Sequence, residues 1–156
     1  EWKREALGEH ELNRAAMCFG MIAALDDPTY LAIVEPYLTG LALIAKSDLH
    51  LSFVPQASER FATALLEAMR HFGDWDGTED GLAAGVSVFF GPRMQKAEDV
   101  QELIDLLRQL SPKPLGREGI TMERAAILKV LTDAYLITRF NERALKKPYQ
   151  QHGTDG

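Results

Sequence analysis

Apolar positions recur at three- and four-residue steps along most of this chain, the period of one face of an α-helix. The longest such run is Thr121–Lys147. In it Ile127, Leu128, Leu131, Ala134, Tyr135, Thr138 and Leu145 form a stripe that Val130, Ile137 and Phe140 widen. A stripe that broad predicts neighbours on two sides. Thr121 is placed to cap the start, and Glu123 complements the helix dipole there. Arg139, Arg143, Lys146 and Lys147 complement the other end. Pro148 is expected to stop the helix. At 1.5 Å per residue it is about 40 Å long, and the rest of the chain is expected to pack around it.

Six further segments read as helices or connectors. Residues 1–25 begin charged and end in an entirely apolar run, Ala15–Leu25, which predicts a helix passing from solvent into a core or against another subunit. Asp27-Pro28 restarts the chain as N-cap and first helical residue. The helix that follows carries Tyr30, Ile33, Val34, Tyr37, Leu38, Leu41 and Ile44 on one stripe, with Pro36 expected to kink or split it. Leu49–Val54 alternates with period two but has no strand to pair with, so it reads as an extended connector. Residues 55–72 align Phe61, Leu65, Met69 and Phe72, and Gly73 is a suitable C-terminal stop. Residues 82–90 mix small and β-branched side chains. Without a sheet to join, they read as a helix. Residues 93–110 form the cleanest amphipathic pattern, with Ala97, Val100, Leu103, Leu107 and Leu110 inward. The expected fold is all-α, a compact bundle of five to six helices with the long C-terminal helix at its centre. It is a single domain over residues 1–148, with residues 149–156 as a flexible tail.

Composition narrows the class. The chain has 156 residues, and a chain of that size buries about 68–70% of its unfolded surface, enough for a core without staples. Seventeen basic against twenty-three acidic residues give a net charge of −6, which argues against nucleic acid as a main partner. A single cysteine, Cys18, excludes an internal disulfide and a cysteine-rich zinc site. A cytoplasmic setting is the simplest expectation. The run Ala15–Leu25 is too short to span a bilayer, so no membrane partner is expected.

No catalytic motif is complete. Gly85-Val86-Ser87-Val88-Phe89 starts like a nucleophile elbow but lacks the closing glycine. Glu67 and His71, one helical turn apart with Asp74 just beyond, are the best acid–base or metal-ligand set, and they lack a second ligand pair. The loop with Asp74, Asp76, Glu79 and Asp80 does not fit a calcium-binding loop, which needs glycine sixth and glutamate twelfth. Arg93 and Lys96, read at a helix start, are a weak anion site. No cofactor, metal or catalytic residue is assigned.

The first functional expectation is therefore a non-enzymatic protein–protein interaction or assembly subunit that self-associates, because the chain offers more apolar helix faces than one small bundle needs. Trp75 in its polar loop, Phe89 and Phe90, and the basic Arg139, Arg143 and Lys147 are the candidate interaction residues. The alternative is a sensor holding a small apolar ligand among Met17, Met21, Met69, Phe89 and Tyr135. A third possibility is an enzyme of unrecognised type using Glu67 and His71.

Overall fold

The computed structural model describes residues 28–47, 52–110 and 121–152, with side chains in the last stretch to residue 142. The expected helix at 1–25 and the connector residues 48–51 lie outside the described residues. Five helices follow in order: α1 (Pro28–Lys46), α2 (Val54–His71), α3 (Leu82–Phe90), α4 (Ala97–Leu110) and α5 (Met122–His152). No strand occurs among the described residues, so the fold is all-α.

The aromatic side chains of α1 set its direction. Near its start Tyr30 stacks on His71 at the end of α2, and near its middle Tyr37 lies against Phe61, so α1 and α2 run antiparallel. Tyr30 also meets Phe140, while Tyr37 donates a hydrogen bond to Asp133, so α5 runs antiparallel to α1 and alongside α2. Close approach of α1 and α2 requires Gly40, because a Cβ there would sit 2.7 Å from the Phe61 ring. Helix α2 packs on α1, α5 and α4, and short α3 packs on α4. The buried side chains of all five helices form one cluster. Pro36 does not split α1; it is buried within one continuous span, where packing against α2 holds both halves. By length and mean hydropathy (1.3), α1 is the one described helix apolar enough to cross a membrane. Run length alone misses it because Glu35 and Pro36 interrupt the apolar sequence. Here it buries Tyr30, Ile33, Val34, Tyr37 and Gly40 in the bundle.

Two boundaries differ from the sequence expectation. Helix α4 starts at Ala97, not Arg93. Arg93 belongs to the turn that closes α3: its guanidinium donates back to the Phe89 carbonyl at 2.7 Å and covers the Phe89 ring at 3.8 Å. Lys96 stands just before α4, its carbonyl accepting the Asp99 amide, so the structure does not bring Arg93 and Lys96 together at one helix start. Helix α5 does not stop at Pro148 but continues to His152. A proline removes one backbone donor, and that alone does not end the helix here. Thr121 does cap α5, its hydroxyl accepting the Arg124 amide at 3.3 Å.

The face that α5 buries also differs. Ala125, Leu128, Thr132, Asp133, Tyr135, Leu136 and Phe140 point into the bundle. Ile127 and Val130, expected in the core, are 50% and 58% exposed, and Ala134 is exposed beside them.

Candidate functional site

Two polar clusters fasten α5, and each uses one face of it. The first is built on the turn after α2. That helix ends with the Asp74 and Trp75 amides both donating to the Met69 carbonyl, and Gly73 takes a left-handed φ of 83°. This turn aims the Asp74 carboxylate at α5. Its Oδ2 accepts from the Tyr135 hydroxyl at 2.6 Å and from Arg139 Nη2 at 2.7 Å and Nε at 3.0 Å. Burial, then the hydrogen bond to Asp74, push the Tyr135 phenol above its ordinary range. For Arg139, burial works against the charge, and bonds to Glu142 and Asp74 more than offset it, so its pKa is raised. Gly85 lets α3 lie on this turn, since a Cβ there would come within 2.5 Å of the Asp74 carbonyl.

The second cluster is Tyr37, Asp133 and Lys129. Asp133 is almost fully buried. One of its oxygens accepts from Tyr37, and the other accepts from Lys129 Nζ at 2.8 Å. An acid at that depth is tolerated because both oxygens have donors.

The remaining side of α5 forms no such anchor. It borders a cleft of about 410 Å³ against α4, lined among others by Leu103, Leu106, Ile127 and Leu131. Asp99, Glu102 and Asp105 from α4 give the cleft an acidic wall, with Arg124 on the α5 side. Ile127 belongs both to the cleft and to the exposed apolar face that continues through Val130 and Ala134.

The candidate residues of the sequence fall apart on this structure. Phe89 and Phe90 are buried at 1% exposure, and Phe89 stacks on Tyr135 at 4.6 Å, so neither presents surface to a partner. Their apolar bulk is spent holding α3 against α5. Trp75 packs back on the core, and its Nε1 donates to the Thr78 carbonyl at 2.7 Å. Arg139 is committed to Asp74. The side chains of Arg143 and Lys147 lie outside the described residues, on helical backbone. Glu67, His71 and Asp74 are not gathered into one site: Asp74 turns to α5, and His71 lies against Tyr30 and Phe72. Among the described residues no group of three His, Cys, Asp or Glu side chains is placed to hold a metal ion. In the acidic loop, Asp76 accepts from both the amide and the hydroxyl of Thr78. The hydroxyl bond chiefly, with the amide bond, lowers the Asp76 pKa. Of the expected sensor residues, Met69, Phe89 and Tyr135 fill the core, and Met17 and Met21 lie outside the described residues.

Sequence reasoning missed the two anchoring clusters and the exposed face. Lys129 and Asp133, one turn apart beside buried positions, were the available signal for the second cluster. Nothing local points to the pairing of Asp74 with Arg139, 65 residues apart. The chain matches no protein-family model, no curated protein and no solved structure.

Proposed function

We propose that this chain is a non-enzymatic helical interaction subunit that self-associates through the outer face of α5. The observation that carries this reading is the exposure of Ile127 and Val130, 50% and 58%, on neighbouring turns of a helix whose other faces are anchored in the bundle. Branched apolar side chains exposed side by side, at the edge of a cleft with mixed apolar and acidic lining, are what an interaction surface presents before it is covered. The polar clusters around Asp74 and Asp133 support the same reading, because each is closed by its own hydrogen bonds and fixes α5 in place. The setting proposed is cytoplasmic, on the single cysteine.

Sedimentation velocity over a concentration series tests this. The expected result is a species heavier than one chain at micromolar concentration; a single-chain species throughout contradicts it. A second reading, a small apolar ligand, is favoured by the α4–α5 cleft rather than by the core, since its volume falls in the range of ligand pockets. A thermal-shift series against apolar compounds tests that reading, with a raised midpoint expected.

A further inference from the structure

The cleft between α4 and α5 joins an apolar lining to a charged wall. Leu103 is buried there, Leu106 and Leu131 are half-buried, and Ile127 is exposed at its edge. Its volume of about 410 Å³ is that of a small-molecule pocket. Asp99, Glu102 and Asp105 follow one another at three-residue steps, so one flank of α4 brings all three to the lining. Every charged residue that α4 contributes to the cleft is acidic.

The three carboxylates are not equally engaged. Asp105 accepts from Gln101 Nε2 at 2.9 Å and lies 3.8 Å from Arg108. Among the described residues no hydrogen bond or ion pair engages the carboxylate of Asp99 or Glu102. Arg124, on the α5 side, is the cation of the described lining, so three acids against one base leave it at −2. Lys129, further along α5, is held by Asp133 at 2.8 Å and is not in the lining. Like charges one turn apart repel, and apolar walls beside them strengthen their field. A positively charged occupant relieves that repulsion, a neutral one leaves it, and a negative one adds to it.

We infer that this cleft takes an amphipathic cation, a short aliphatic chain ending in one ammonium group. The inference rests on the apolar-ligand reading of the cleft given above and adds the ligand's charge. The chain lies on Leu103, Leu106 and Ile127, where each methylene removed from water tightens binding about fourfold. The ammonium brings three N–H donors, and the Asp99 and Glu102 carboxylates accept from it. Such charge-assisted bonds are stronger than those a neutral hydroxyl makes at the same place.

Isothermal titration calorimetry of the full chain at low salt compares octylammonium, octanol and octanoate, which share a chain and differ in head charge. Octylammonium is expected to bind about fivefold tighter than octanol, and octanoate not to bind. Hexylammonium, two methylenes shorter, should bind about fifteenfold weaker than octylammonium. Glu102→Gln and Asp99→Asn should each weaken octylammonium about three- to fivefold and leave octanol unchanged. The net charge of −6 attracts any cation, so Glu98→Gln, on the same helix but outside the lining, is the control and should change nothing. Octanol or octanoate binding as tightly as octylammonium, or an equal loss in Glu98→Gln, overturns the charge assignment while leaving an apolar-ligand cleft standing. No binding by any of the three overturns both.

Discussion

Arg139 donates two hydrogen bonds to one oxygen of the Asp74 carboxylate, and that contact closes the turn after α2 onto the C-terminal helix. The same oxygen accepts from the Tyr135 hydroxyl. Both charged side chains are largely shielded, at 21% and 13% exposure, so the pair is less screened than an ordinary surface ion pair.

Asp74→Ala leaves a shielded guanidinium and a buried phenol without their acceptor. The expected loss is about 2–4 kcal/mol of unfolding free energy, read from urea denaturation. Asp74→Asn should lose less, because the amide oxygen still accepts. Equal stability of Asp74→Ala and wild type would show that the contact contributes nothing.

The raised Tyr135 pKa has a consequence at alkaline pH. The unfolded chain releases this phenolic proton near the ordinary value of 10.0, while the folded chain holds it to higher pH. The stabilisation is therefore complete below pH 10 and declines as pH rises above it. Tyr135→Phe should flatten that part of the stability–pH curve, at a cost of about 1 kcal/mol near neutrality from the lost hydrogen bond. An unaltered alkaline slope in Tyr135→Phe contradicts the assignment.

Asp133 offers a double-mutant cycle. Asp133→Ala strands Tyr37 and Lys129, and about 2–4 kcal/mol should be lost. Tyr37→Phe alone should cost less, and the two changes together should be non-additive by about 1 kcal/mol or more. Additivity within error would mean that Tyr37 and Asp133 do not interact.

Two glycines separate crowding from backbone strain. Gly85→Ala puts a methyl 2.5 Å from the Asp74 carbonyl, which the turn cannot relieve without moving the carboxylate; a loss of about 2 kcal/mol or more is expected, despite alanine's better helix propensity. Gly73→Ala meets nothing within 4 Å, yet its φ of 83° should cost about 1 kcal/mol. Thermal unfolding of the two variants checks the order.

Periodicity located the other described helices, because the repeat of apolar positions is a property of the local sequence; residues 82–90 read as a helix only because no sheet was there to join, and they are one. Periodicity did not tell which side of a broad stripe faces inward. Ile127 and Val130 look as much like core as Leu128 does, and only the placement of α1, α2 and α3 around α5 separates them. Thr132 and Asp133 look like solvent positions, yet both are buried, because the Leu128 carbonyl accepts from Thr132 while Tyr37 and Lys129 donate to Asp133. Phe89 and Phe90, taken as candidate interaction residues, are turned into the core by a nine-residue helix. Which large apolar side chains stay exposed, Leu38 on α1 and Val88 on α3 as well as Ile127 and Val130 on α5, required the fold.

The measurement that bears most directly on the central claim is sedimentation equilibrium of the wild-type chain beside Val130→Glu. Val130 is exposed, so the substitution should leave the helical circular dichroism unchanged. A wild-type dimer at tens of micromolar and a monomeric Val130→Glu are expected. A wild-type monomer under those conditions, or a Val130→Glu chain that dimerises as tightly as wild type, would contradict it.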